Sequence, residues 1–333
     1  PYPGATEEAR DTARLNFLGI VFCMMFGTAA LPHILMRYYT TPSVQQARDS
    51  VFWSLFFIFL LYFTAPCLAV LAKYDVYTNL VGSSFAALPA WAASWATVDP
   101  TLLNITDVNR DGIVQLAEIV IGGDLIVLAT PEIAGLPYVV SGLVAAGGLA
   151  AALSTADGLL LTISNALSHD LYYKMIDPSA STKFRVTLSK VLLVVVAIVA
   201  AFVTSLKPGD ILFLVGAAFS LAASAFFPPL VLGVFWKRAT KWGAIVGMTA
   251  GLSICIYYML RTYPFFTNMG VPKMDLWFGL NPISAGMFGL PIGMLTIIIV
   301  SLLTPEPDRQ TQELVEHVRY PHLRGDTVST VGT

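Results

Sequence analysis

The chain has 333 residues, of which 56% are hydrophobic and 12% charged, with three cysteines and a formal net charge of -2. Soluble domains carry about 25% charged residues. A mean hydropathy of +0.71 therefore excludes a water-exposed fold, and the near-neutral charge removes nucleic acid as a partner.

The chain starts at Pro1 with a short polar lead and no signal peptide, and is expected to be the later part of a longer protein. The first apolar run, at about 15–36, reaches the ~20 residues that cross a bilayer and contains Gly27-Thr28-Ala-Ala-Leu31-Pro32-His33. Pro32 removes a backbone donor, and freed backbone groups are tolerated at that depth only inside protein or beside water. The segment reads either as a broken helix lining a path or as a proline kink with His33 packed on a neighbour. The second run, at about 50–72, carries Pro66, read as a kink. Cys23, Cys67 and Cys255 all lie in apolar runs and are read as packing, without disulfide or metal.

A long loop follows, about 73–136, with Asp107-Val-Asn109-Arg-Asp111-Gly112-Ile113-Val114-Gln115-Leu-Ala-Glu118. This matches the twelve-residue EF-hand calcium loop. Oxygen ligands fall at positions 1, 3, 5 and 12, glycine at 6, and position 7 offers its carbonyl. Ca2+ is the expected ion, held by Asp107, Asn109, Asp111, Ile113 and Glu118, with Gln115 acting directly or through water. An Asx-rich turn that binds nothing is the plainer reading. Residues 115–128 are a candidate exiting helix, interrupted by Gly122-Gly123.

The third run, at about 137–168, places Ser154, Thr155 and Asp157 inside a membrane-length apolar segment, among Gly147, Gly148 and Ala150–Ala152. Polar groups in hydrocarbon are costly and usually face a bundle interior along a substrate or ion path, and small residues let backbones approach. Residues 151, 154 and 155 share one helix face. Hydroxyls there can instead bond to carbonyls of their own helix. Asp157 could bind a cation, carry a proton, or be structural.

Further runs lie at about 186–206, 211–236, 242–261 and 284–304, with Pro228-Pro229 expected to distort the fifth span. Counting Lys and Arg in alternate loops gives twelve on one side and seven on the other. By the positive-inside rule the richer side is cytoplasmic, and it includes the polar tail 305–333. Residues 1–304 then form the transmembrane part, with loop 73–136 outside.

Four blocks together resemble the sodium:solute symporter family, and within it the cation:acetate symporter (acetate permease) type. They are Gly27–Arg37, Ala151–Gly158, Ser168–Tyr173 and Phe219–Arg238. The resemblance implies an all-α integral membrane fold, a seven-span portion of a LeuT-type five-plus-five inverted-repeat bundle. In that scheme the first span corresponds to core helix six and the third to core helix eight, and an N-terminal half of the same transporter is expected as partner. The resemblance further implies a sodium site at Ala151 (carbonyl), Ser154 and Thr155 (hydroxyls); Asp157, by its position one turn on, is a possible second cation or proton site, a pair for a residue of the N-terminal half, or structural. Thr28, Leu31, Pro32 and His33 would line the substrate path.

The functional expectation is a sodium-coupled secondary transporter, multi-pass in a bacterial inner membrane with a cytoplasmic C-terminus. It would take up a small monocarboxylate such as acetate. Alternatives are a symporter of the same family for proline or a sugar, and a transporter-like membrane sensor. The tail holds no signalling domain and Leu31 is apolar, which disfavours the sensor and the sugar respectively. No nucleophile–base pair or phosphate loop suggests an enzyme.

Overall fold

The computed structural model describes residues 6–38 and 40–319. In hydrocarbon every backbone polar group must find its partner within its own segment, which favours helices. Among the described residues, seven helical segments are long and apolar enough to cross a membrane. They are Glu7–Ala30, Val44–Asn79, Tyr138–Ile176, Thr182–Ser205, Ile211–Phe235, Lys241–Thr262 and Pro282–Leu303. The helical membrane architecture that the resemblance implies is the one observed, with one short two-stranded hairpin beside it. The chain divides into two compact units, residues 1–46 with 198–333, and residues 47–197.

The first unit begins with α1 (Glu7–Ala30), whose N-terminus is capped by the Thr6 hydroxyl accepting from the Ala9 amide. α1 ends where Leu31 turns extended, and α2 (Pro32–Tyr38) follows at once. The helix is thus broken at Pro32. The fifth span is broken too, into α8 (Ile211–Ala225) and α9 (Phe227–Phe235), with Pro228 and Pro229 in the first turn of α9. Proline fits there because first-turn amides have no intrahelical partner.

α10 (Lys241–Thr262) leads through the short α11 (Pro264–Asn268) to α12 (Gly286–Leu303). α10 buries Gly243, Gly247, Gly251 and Cys255, a stripe at four-residue spacing. A Cβ on Gly251 would lie 2.5 Å from the Ser224 carbonyl oxygen and 2.8 Å from that of Gly289. Glycine is what allows the backbones of α8, α10 and α12 to approach this closely. Tyr258, fully buried, donates to the Leu280 carbonyl at 2.5 Å and accepts from the Trp277 amide at 3.2 Å, pinning the turns before α12.

The second unit holds α3 (Val44–Asn79), which runs unbroken through Pro66. It continues with α4 (Ala90–Val98), the hairpin of β1 (Leu103–Ile105) and β2 (Ile119–Ile121), α5 (Ile126–Ile133), α6 (Tyr138–Asn165) and α7 (Thr182–Ser205). β1 and β2 pair antiparallel with Leu103 opposite Ile121 and Ile105 opposite Ile119. Val76, Leu80, Leu103, Val114, Leu125 and Ala129 belong to one apolar core that forms a cap at the end of α3. α6 continues as a π-helical segment, Ala166–Ile176. Ser164 of α6 joins α7 through the carbonyl and hydroxyl of Ser189, each at 2.7 Å.

Three elements differ from the sequence reading. No helix covers 115–128: a 3-10 turn at Leu116–Glu118 leads into β2, because Ile119-Val120-Ile121 is β-branched and Gly122-Gly123 then ends the strand. The third span runs on to Ile176, well past 168. The tail contains α13 (Arg309–Arg319), which rests against α9 and carries the Lys237–Glu316 ion pair at 2.9 Å. Arg324 and the rest of the tail after 319 lie outside the described residues.

Candidate functional site

The polar turn of α6 is where an apolar helix carries oxygens. Ala151, Ser154, Thr155 and Asp157 are all exposed, in a span none of whose most apolar window is buried. Helical spacing puts 151, 154 and 155 on one face, and Asp157 follows Ser154 by three residues. The Thr155 hydroxyl donates to the Ala151 carbonyl at 3.2 Å. One expected ligand oxygen is thus already bonded to another, the back-bonding common for hydroxyls in helices. Three oxygens stand close on one turn, and a cation taking them would compete with that hydroxyl bond and with the helix's own amide donor to the Ala151 carbonyl.

The broken helix of the first unit has a different character. The Thr28 hydroxyl donates to the Met24 carbonyl at 2.6 Å and remains exposed, whereas Leu31 is buried. Pro32 supplies no amide hydrogen, so the Thr28 carbonyl has no helical donor. His33 is half-buried, and its Nδ1 is shut from solvent with no hydrogen-bond partner among the described residues. The break therefore offers a carbonyl that lacks its i+4 amide donor and, among the described residues, an unsatisfied imidazole nitrogen beside an apolar side chain.

Loop 107–118 is closed at its neck by the hairpin. The Gly112 amide donates to Asp107 Oδ2 at 3.0 Å, and the Val108 and Gln115 amides donate to the two Glu118 carboxylate oxygens at 2.9 and 3.0 Å. Gly112 has φ 72° and Arg110 φ 61°. This left-handed winding is what glycine at position 6 permits, and it brings residue 112 back to residue 107. Asp111 accepts from the Ile113 amide at 2.8 Å, and from the Asn109 and Gln115 side-chain amides. These bonds, the Ile113 amide above all, hold its carboxyl below the ordinary carboxylate range. Among the described residues no three His, Cys, Asp or Glu side chains gather closely enough to hold a metal ion. Amide donors occupy the carboxylate oxygens of Asp107, Asp111 and Glu118 instead, Asp107 Oδ1 excepted.

Sequence reading passed over Trp95, whose indole donates to Glu132 at 2.8 Å and ties α4 to α5, and over the buried Ser220, which donates to the Ile283 carbonyl at 2.6 Å. The spacing of Ser220 and Ser224, four apart in an apolar helix, was the available signal for the second.

Residues 117–251 match the family model described as the sodium:solute symporter family, a segment that includes the α6 turn. An uncharacterised symporter of Cupriavidus necator is 60% identical over 319 residues, covering 96% of this chain and 47% of the relative. The chain thus spans about half the length of the curated relative it matches. Seven apolar helices together with this match mark a multi-pass membrane protein.

Proposed function

With the match to the sodium:solute symporter family as premise, we propose that the protein is a sodium-coupled symporter whose solute is a small monocarboxylate, with acetate the favoured case. The single observation that carries this reading is the α6 turn inside the matched segment 117–251, where Ala151, Ser154 and Thr155 present neutral oxygens on one face. Neutral oxygens suit a hard cation that must leave again in every cycle. Asp157 is the proposed second cation or proton group. Thr28, Leu31, Pro32 and His33 are the proposed lining of the solute path, the apolar Leu31 favouring a short acid over a sugar.

The LeuT-type arrangement that goes with the family assigns the first span to core helix six and α6 to core helix eight. On this reading an N-terminal half of the transporter completes the site, and the exposed polar face of α6 is a surface that such a half covers. The protein would lie in a bacterial inner membrane with its C-terminus in the cytoplasm, the side richer in Lys and Arg. Transport then proceeds by rocking of the bundle around a midplane site.

A tenfold sodium gradient supplies about 1.4 kcal/mol, and 100 mV adds about 2.3 kcal/mol per net charge moved. One sodium with one acetate is electroneutral and gains nothing from voltage, so strong accumulation requires a second cation. Uptake of labelled acetate into proteoliposomes holding the full-length transporter tests the reading. Uptake is expected to rise with an inward sodium gradient, and equal uptake with and without it removes sodium coupling. Competition by proline or a sugar, with acetate without effect, would move the protein to another solute.

We also propose calcium for loop 107–118, held by Asp107, Asn109, Asp111, the Ile113 carbonyl and Glu118, with Gln115 direct or through water. It is a structural ion apart from the transport cycle.

A further inference from the structure

α13 carries more apolar surface than its contact with α9 covers. Gln312, Val315 and Arg319 are half-buried, whereas Leu314 is 63% and Val318 57% exposed. Leu314 and Val318, four residues apart, share one flank of the helix. Arg309, Glu313 and Glu316 are also exposed and lie on the opposite flank. One apolar flank and one charged flank, in a helix of low net hydrophobicity, is the composition of helices that lie in a membrane interface.

The surroundings of α13 locate that interface. α9 ends the span Ile211–Phe235, and Lys237 comes directly after its C-cap, Trp236. Phe235 and Trp242, 65% and 60% exposed, bracket the basic run Lys237, Arg238 and Lys241. Aromatic rings and cations at the end of a span mark the border between hydrocarbon and water. α13 is tethered at this border, because residues 304–308 alone separate it from α12 and both ends of that link are bonded. The Arg238 Nη2 donates to the Thr304 carbonyl at 2.7 Å, and the Gln312 side chain to the Pro307 carbonyl at 2.9 Å.

The Lys237–Glu316 pair sets the roll of the helix. Lys237 stands beyond the end of α9, so the flank holding Glu316 is turned away from the hydrocarbon. Leu314, two positions from Glu316, is turned the other way, back toward the lipid around α9 and α12. The apolar surface there is continuous, since Leu302 and Leu303 at the end of α12 are 59% and 80% exposed.

We infer that α13 is an interfacial helix whose Leu314–Val318 flank is seated in the bilayer at the end of α9 and α12, with lipid as its partner. Arg309 and Arg319 balance Glu313 and Glu316, so the attraction is apolar and needs no anionic headgroup. The inference rests on the membrane placement of the spans and is independent of the symport reading.

Nitroxide labels on Leu314→Cys, Val318→Cys and, on the charged flank, Glu313→Cys test it. The full-length protein is reconstituted into phosphatidylcholine vesicles with its other exposed cysteines replaced, Cys67 among them. Electron paramagnetic resonance reads collisions with oxygen, which concentrates in lipid, and with a water-soluble nickel chelate. The oxygen-to-nickel ratio is expected to be about tenfold higher at 314 and 318 than at 313, the equivalent of about 1.4 kcal/mol of preference for lipid. Adding phosphatidylglycerol should leave the ratios unchanged. Nickel reaching 314 and 318 as freely as 313 places the flank in water and overturns the inference. Exclusion of both reagents from 314 and 318 overturns it as well and assigns the flank to a protein partner. A high ratio that appears only with phosphatidylglycerol overturns the apolar attraction. None of these outcomes turns on sodium or acetate.

Discussion

α10 and α6 are both membrane-length helices rich in small residues, yet their surroundings are opposite. A third of the most apolar window of α10 is buried, and none of that of α6. Gly243, Gly247 and Gly251 each face atoms of α8 or α12 so closely that a Cβ would collide. On α6, Gly142 and Gly147 have nothing within 4 Å of where a Cβ would stand. A small residue in an apolar helix is thus one signal with two outcomes. In α10 the stripe already has its partner and acts as packing. In α6 it borders oxygens that have none beyond their own helix, as our transport reading requires of a face completed by further protein.

That contrast breaks most cleanly at the glycines. Gly251→Ala drives a methyl group into backbone carbonyls of two helices, which cannot move as a flexible side chain would. The expected loss is about 1–3 kcal/mol, the usual cost of overpacking. Gly147→Ala meets open space, and alanine is favoured over glycine in a helix by roughly 0.5–1 kcal/mol, so it should leave thermal stability in detergent unchanged or slightly raised. Equal destabilisation by the two would erase the distinction between the stripes.

Tyr258→Phe probes the packed unit by another route. The substitution keeps the ring against Trp277 and Phe288 but strands the Leu280 carbonyl and the Trp277 amide. Leaving buried polar groups unpaired costs about 1–3 kcal/mol. A midpoint of unfolding unchanged from wild type would mean that water reaches this bond.

On α6 the corresponding substitutions should spare stability and alter function. Ser154→Ala and Thr155→Ala remove exposed hydroxyls, one of which bonds only within its helix. Each is expected to raise the sodium concentration for half-maximal uptake about tenfold, the equivalent of about 1.4 kcal/mol. Sodium-dependence curves in proteoliposomes read this directly. Superimposable curves for wild type and both variants reject the sodium assignment.

How much of this was legible beforehand follows from which physics each feature obeys. The spans were readable because bilayer thickness fixes a minimum apolar length. At Pro32 the sequence left a break and a kink equally open, because proline lacks a donor wherever it stands and α3 nevertheless runs unbroken through Pro66; only Pro228-Pro229 was expected to distort its span. The β1–β2 hairpin was not legible, since strands of three residues are too short to show an alternating pattern and their pairing spans a long loop. Nor was the exposure of α6, because hydropathy weighs apolar surface equally whether it meets lipid or protein. At the candidate sites, the order of Ala151, Ser154 and Thr155 on one face follows from helical spacing alone. Spacing says nothing of whether the Thr155 hydroxyl bonds a cation or its own helix, and it could not show that the carboxylates of loop 107–118 take amide donors.

The smallest effect concerns α13, whose placement rests on charge. Lys237 hydrogen-bonds to Glu316 and holds its carboxyl below the ordinary glutamate range. A carboxyl depressed in the folded chain favours docking at any pH above its undocked value, and that contribution disappears as the pH falls through the lower, docked value. Docking of α13 on α9 should therefore be intact at neutral pH and weaken only in acid, below the range where a free glutamate titrates. Because both partners are exposed, Lys237 at 42% and Glu316 at 55%, salt should loosen it as well, screening such pairs over about 10 Å at 0.1 M. Exchange of the 309–319 amides, followed against pH and salt in wild type and Glu316→Gln, measures both effects. The variant should behave at neutral pH as the wild type does in acid. If its exchange instead matches wild type at every pH, packing of the less exposed Val315 side of the helix, and not the ion pair, holds α13 in place.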